Sequence, residues 1–189
     1  MYTNSMAPEI RAVVSIEEFW HLAHRLPDAE LVGGQVVELV LPGLRHGVLV
    51  AGLSYRLREY AGASGLGLVV SDTGFILSRD PPTVRGPDVA VVFKDRVPAP
   101  IPVKFFPGPP DLAVEVLSPD DRPGEVAAKV VDYLRAGARA VWVVDPDKRT
   151  VSVHTPRGAV TYQRDEVLRG APPLPEFELD IQSLFAEVD

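Results

Sequence analysis

The chain has 189 residues, of which 46% are hydrophobic and 24% charged, and its formal net charge is −7. That balance describes one globular domain with a single sizeable core and excludes disordered and fibrous classes. With no apolar run near the roughly 20 residues of a membrane span, no basic-then-apolar leader in "MYTNSMAPEI" and no cysteine for disulfides or thiolate sites, a cytoplasmic protein without a membrane partner is expected.

Ser15 with Glu18 three residues on is a capping box, which predicts a helix through "SIEEFWHLAHRL" with Pro27 past its end. "ELVGGQVVELV" reads as a hairpin turning at Gly33–Gly34. "HGVLVAGLSYRLREYAG" predicts a second helix ending near Gly62. Two strand-like runs follow, "LGLVVSDTGFIL" and "DVAVVF", with "SRDPPTVRGP" between them as a proline-rich connection. After a further proline-rich loop comes the strand Asp111–Leu117. "PGEVAAKVVDYLRAGA" is a helix with Pro123 early and Gly137 at its close. "AVWVVD" reads as a buried strand, "RTVSVH" and "AVTYQR" as alternating strands, and "IQSLFAEV" as a short terminal helix packed on the sheet. Strands and helices mix without regular alternation, so the fold class is α/β, a mixed central sheet flanked by helices with additional antiparallel strands, in a single domain over 1–189.

Within "PDLAVEVLSPDD" one charge stands among apolar neighbours: Glu115, between Val114 and Val116. A carboxylate removed from water must be paired, protonated or bound to a cation. Asp111 shares its strand face but lies about 13 Å away, too far to share one ion. Asp88, at the entrance of the apolar strand in "GPDVAVVF", is the candidate partner. Two carboxylates on adjacent strands can hold Mg²⁺ and leave positions for water and phosphate. The spacing equally allows Asp88 to cap a turn and Glu115 to meet an arginine.

Lys129 and Tyr133 form an i, i+4 pair at the edge of the apolar arc Val126, Ala127, Val130, Val131, Leu134, with Asp132 and Arg135 pointing away. Lys129 can snorkel toward the sheet end or simply cover apolar surface. His46 begins the second helix, as a phosphate donor or as a cap. His21 and His24 are i, i+3 neighbours without a third ligand and read as surface. Five basic residues between Arg79 and Lys104 (Arg79, Arg85, Lys94, Arg96, Lys104) leave a local basic face open, although a solvated ordinary face explains them too. Much of the acidity sits in the tail, where seven acids from Asp165 to Asp189 face one arginine.

"GPDVAVVF" followed by "PDLAVEVLSPDDRPGEVAAKVVDYLRAGARAVWVVDPDKRTVSVH" closely resembles the Uma-two family of restriction-endonuclease-like proteins, in the PD-(D/E)XK nuclease superfamily. The resemblance extends weakly to "AELVGGQVVEL", His46 and "PLPEFELDIQSLF", spanning most of 29–185. It implies a restriction-endonuclease-like core and a metal-dependent endonuclease that hydrolyses nucleic-acid phosphodiesters, DNA foremost, with a metal-bound water as nucleophile. Asp88, Glu115 and the main-chain carbonyl of Val116 would bind Mg²⁺ or Mn²⁺. Lys129 would replace the lysine normally two residues after the glutamate, a position held here by Leu117. Glu30 matches a frequent acid of the first hairpin, with an exposed strand acid as the plain alternative, and Gln35 stands where the family often has glutamate. His46 and Tyr133 would support the site, and a homo-oligomer is implied. The departure at Leu117 and the acidic balance keep a second reading in view, the same fold retained as a catalytically inactive binding or scaffolding module.

Overall fold

The computed structural model describes residues 13–26 and 28–188. The N-terminal segment read above for a leader, Pro27 and Asp189 lie outside the described residues. In chain order come α1 (Ile16–Ala23), the hairpin β1 (Ala29–Val32) and β2 (Gln35–Glu38), and the long α2 (Leu44–Ser64). Strands β3 (Gly67–Ser71), β4 (Phe75–Arg79), β5 (Pro82–Arg85), β6 (Val89–Phe93) and β7 (Leu112–Val116) follow. After α3 (Pro123–Ala136) come β8 (Ala140–Asp145), β9 (Thr150–Thr155) and β10 (Gly158–Tyr162), then β11 (Val167–Arg169), β12 (Glu178–Asp180) and α4 (Ile181–Phe185).

Six strands form the central mixed sheet in the order β10-β9-β8-β7-β6-β3. Only its β7–β8 pair is parallel, and α3 makes that crossover, as parallel neighbours require. Side chains alternate along β7. Leu112, Val114 and Val116 face α2, whose Leu49, Leu53, Leu57 and Ala61 recur at helical spacing, and α4 adds Ile181, Leu184 and Phe185 to the same core. Ala113 faces the other way, packing with Val141 and Val143 against Val130 and Tyr133 of α3. Glu115 shares that second face, so the buried acid is aimed at α3 by the pleat alone.

A four-stranded sheet, β2-β1-β5-β4, carries α1 on Leu31 and Val84 through Ile16 and Phe19. The capping box of α1 is formed, with the Ser15 N–H donating to Glu18 at 2.8 Å. Three expectations need correction. "SRDPPTVRGP" is not only a connection, because Pro82–Arg85 is a strand between β1 and β4. Pro82 is tolerated as its first residue, where no donor is needed, and its carbonyl still accepts the Gly34 N–H at 2.7 Å. Helix α2 starts before His46 and runs past Gly62 to Ser64, closing on the left-handed Gly65 (φ 64°). The buried face of α3 is rotated toward Tyr133, which leaves Ala127 and Val131 exposed. Among the described residues no helix is long and apolar enough to cross a membrane.

Candidate active site

Strands β6 and β7 pair antiparallel with Val89 opposite Val114, and continuing that register sets Asp88 level with Glu115. Asp88 sits just before β6, where the ladder opens. Its Oδ2 accepts the Val116 N–H at 2.6 Å, and its Oδ1 lies 3.3 Å from Nε2 of His46 on the first turn of α2. The bond to Asp88 raises the pKa of His46 above 6.5 against the lowering effect of burial, and the Val116 carbonyl adds to the rise. Asp88, His46 and the Val116 backbone therefore converge where the β6–β7 ladder ends.

Glu115 is 5% exposed and both its oxygens are occupied. Lys129 Nζ donates to Oε2 at 2.7 Å, and the Tyr133 hydroxyl donates to Oε1 at 2.9 Å. The i, i+4 spacing on α3 brings both donors to one face. Burial pushes the Glu115 carboxyl up to about 7; Lys129 pulls it back while Asp88 and Glu30 push further. Burial alone would lower the pKa of Lys129, but the charges of Glu115 and Glu30 outweigh it and hold the ammonium above its ordinary 10.5. Lys129 thus stays charged through neutral pH. Burial, then the Glu115 charge, raises Tyr133 well above 10.0, so its hydroxyl remains a donor.

Glu30 is not an exposed strand acid. It is 2% exposed, with Oε2 at 2.7 Å from Nη1 of Arg85 and Oε1 accepting the Gly86 N–H at 3.1 Å. Arg85 also reaches α3, donating from Nε and Nη2 to Oδ2 of Asp132 at 3.1 and 2.6 Å. Asp132 therefore does not point away, because the rotation that buries Tyr133 turns its neighbour toward β5. Sequence reasoning selects neither Arg85 nor Asp132 as a site residue. The available signals were a charge ending the run "TVR" and an acid three residues beyond Lys129, hence on the same side of the helix.

The other acid of β7's approach, Asp111, belongs to the opposite end of the sheet. It accepts the Phe93 N–H at 2.9 Å and pairs with Arg96 and Arg139 at 2.9 and 3.1 Å. Arg85 and Arg96 are thus committed to internal partners, and the five basic residues of 79–104 do not form one free face. Gln35 stands opposite Val32, and His21 and His24 lie at the surface on α1 and its end. Among the described residues no three His, Asp or Glu side chains gather as a metal cluster. The Asp88–Glu115 pair offers two carboxylates and the neighbouring Val116 carbonyl, a hard-oxygen set with few protein ligands. Beside His46 a groove of about 1040 Å³ runs between α3 and the β8–β10 face of the sheet, with Leu117 and Val126 among its walls.

A protein-family model described as "Putative restriction endonuclease" matches residues 16–182. The crystal structure of a "putative nuclease belonging to DUF820" from Anabaena variabilis ATCC 29413 is similar in fold. Its TM-score is 0.77 at 22% sequence identity, over 92% of this chain and 98% of that chain. Comparison with curated proteins gives no match.

Proposed function

The chain belongs to the Uma2 family of restriction-endonuclease-like proteins, and from that premise we propose that it is a Mg²⁺- or Mn²⁺-dependent endonuclease hydrolysing nucleic-acid phosphodiesters, DNA foremost. The observation that carries this reading is the level placement of Asp88 and Glu115 across β6 and β7, with the Lys129 ammonium 2.7 Å from Glu115. Two carboxylates and one carbonyl suit a small hard cation that keeps its remaining positions for water and phosphate. Such a cation, when bound, acidifies a coordinated water and withdraws charge from the phosphoryl group.

The chain's own residues supply the rest. The Val116 N–H and His46 hold Asp88 in place, and Tyr133 holds Glu115 from its inner side. Glu115 and Asp88 would hold the cation, and Lys129 donates to the Glu115 carboxylate from α3. The Lys129 ammonium would offset the charge that accumulates on a non-bridging phosphate oxygen during displacement. Leu117, at the superfamily's lysine position, is a groove wall, and Lys129 reaches the same carboxylate from the helix.

Calorimetry with Mn²⁺ on the parent, Asp88→Asn and Glu115→Gln tests the site, alongside nicking of supercoiled plasmid by the parent and Lys129→Met. Binding and nicking by the parent are expected, with binding lost in both carboxylate variants and nicking lost in Lys129→Met. A folded parent that binds no Mn²⁺ even beside a DNA oligonucleotide overturns the reading. The second reading, a binding module without catalysis, is favoured by Leu117 and by the net charge of −7. Mn²⁺ held by Asp88 and Glu115 without cleavage of DNA or RNA would establish it.

A further inference from the structure

Helix α3 covers only part of the sheet face on which it packs. Its buried side chains meet Ala113 of β7 and Val141 and Val143 of β8. Beyond them the same face continues over β9 and β10, and there it turns polar. Pairing sets His154 beside Val141, Ser152 beside Val143 and Thr161 beside Ser152, and directly opposed residues share a face. This polar floor and the flank of α3, where Val131 is 42% exposed, bound the groove of about 1040 Å³. The groove is continuous with the candidate site. His46, which lines it, is 3.3 Å from Asp88, and Leu117, another wall, follows Glu115 by two residues on the same face.

Its charges are already matched. Arg45 pairs with Asp147 and Lys148 with Asp145, each at 2.7 Å, and Asp121 adds one more acid. A phosphate inside the groove would meet no lysine or arginine without a carboxylate beside it. A neutral ligand fits better. Leu117, Val126 and Val131 offer apolar contact to a flat face, while Ser152, His154 and Thr161 offer hydrogen bonds to a polar edge. The Ser152 and Thr161 hydroxyls hold each other at 2.8 Å and retain lone pairs to accept further bonds. Burial lowers the pKa of the half-buried His154 below 6.5, and among the described residues no charged or hydrogen-bonding neighbour acts on it. Its imidazole is therefore neutral at pH 7, with one donor and one acceptor unspent.

We propose that the groove is a nucleobase pocket, in which an unpaired base next to the scissile phosphate lies against Leu117, Val126 and Val131 with its polar edge on His154 and Ser152. A base has the two features that the groove matches, an apolar π-face and an edge of mixed donors and acceptors. The inference rests on the nuclease reading and narrows its substrate to a single strand, or to a duplex with an unpaired base at the cut. A paired base is stacked inside the helix and must first be unstacked and turned out. Contact with the base also gives a chain of net charge −7 an affinity that it cannot draw from phosphates alone.

Three fluorescein-labelled DNA probes of one length test this: a mixed-sequence single strand, its duplex, and a strand of abasic nucleotides that keeps the phosphates without the bases. Anisotropy titrations at one salt concentration, in EDTA and again in Ca²⁺, compare the parent with His154→Ala, Val131→Glu and Ala128→Glu, all checked for folding by thermal melts. Ala128 is exposed on α3 outside the groove, so its variant puts the same charge on the same helix. The parent is expected to bind the single strand at least tenfold more tightly than either other probe. Val131→Glu should lose that preference and Ala128→Glu should keep it. His154→Ala should weaken single-strand binding about fivefold and leave the abasic strand unchanged. Parent binding of the three probes within about twofold of one another in both buffers overturns the proposal. So does a preference that survives Val131→Glu and His154→Ala, or one lost equally in Ala128→Glu. These titrations require no cleavage. Plasmid nicking without the base preference would keep the nuclease reading and sink the pocket, whereas the preference without nicking would keep the pocket and sink catalysis.

Discussion

Replacing Arg85 with methionine removes the cation that pairs with both Glu30 and Asp132 while keeping an apolar stem of similar length. The two acids are not equally dependent on it. Glu30 is 2% exposed and Arg85 is 6%, so their pair is desolvated on both sides, and deleting one partner of such a pair costs about 3–5 kcal/mol. The Asp132 side chain is 30% exposed, so water takes over its charge and its share is about 1 kcal/mol or less. After the substitution Glu30 keeps the Gly86 N–H, one neutral donor for a buried carboxylate. Urea denaturation of Arg85→Met should therefore show a loss of about 3–5 kcal/mol with an unchanged m value. The double variant Arg85→Met/Glu30→Gln should recover most of it, because the side-chain amide introduced at position 30 still accepts from Gly86 and no longer needs a counter-charge. A single-variant loss under about 1 kcal/mol, or no recovery in the double, would refute a desolvated Glu30–Arg85 pair in the link between β1, β5 and α3.

Glu115 makes stability depend on pH. Its folded-state value of about 7 lies above the ordinary 4.5, so the folded protein holds an extra proton between those values. The contribution is fully present below the unfolded value and is lost as pH rises through about 7, on the order of 3 kcal/mol in all. Urea midpoints should accordingly fall from acid to alkaline buffer in the parent and fall less in Glu115→Gln; His46, whose value is also raised, leaves a residual slope of the same sign. An unchanged slope in Glu115→Gln would remove Glu115 as its source. Lys129→Met should lower metal-dependent cleavage by about 100-fold or more, and adding Leu117→Lys, which shares the strand face of Glu115, should restore part of it. A double variant as inactive as Lys129→Met would mean that the helix lysine does more than supply a cation beside Glu115.

The central sheet was legible because its strands are long apolar or alternating runs between turn residues, and "AVWVVD" or "RTVSVH" has no competing helical pattern. Strand β5 was hidden by composition. Its four residues begin within a pair of prolines, and its place between β1 and β4 is settled by tertiary pairing. The site divides along the same line. Glu115 announced itself as a charge inside an apolar strand, and the i, i+4 pair Lys129 and Tyr133 followed from helix geometry. Arg85 and Asp132 lie 47 positions apart and meet only because α3 packs across the sheet, which no local pattern encodes. The rotation of α3 was unreadable for a related reason. Its apolar arc was wider than the face the sheet could cover, and the burial of Tyr133 decided which side won.

Charge is unevenly compensated around the site. Glu30 and Asp132 share Arg85, and Glu115 has Lys129 and Tyr133, so three of the four acids have strong donors within hydrogen-bond distance. Asp88 is different. It has a backbone amide and an imidazole that is charged only when protonated, and its side chain is 22% exposed at the open end of the ladder. Only with His46 neutral and Glu115 ionised, against the upward shift of both, would the four acids outnumber the two permanent cations by two charges. The shortfall is centred on Asp88, beside the Val116 carbonyl and level with Glu115. Arg85 and Lys129 compensate the inner acids, which keeps the exposed end negative without leaving a bare charge in the core.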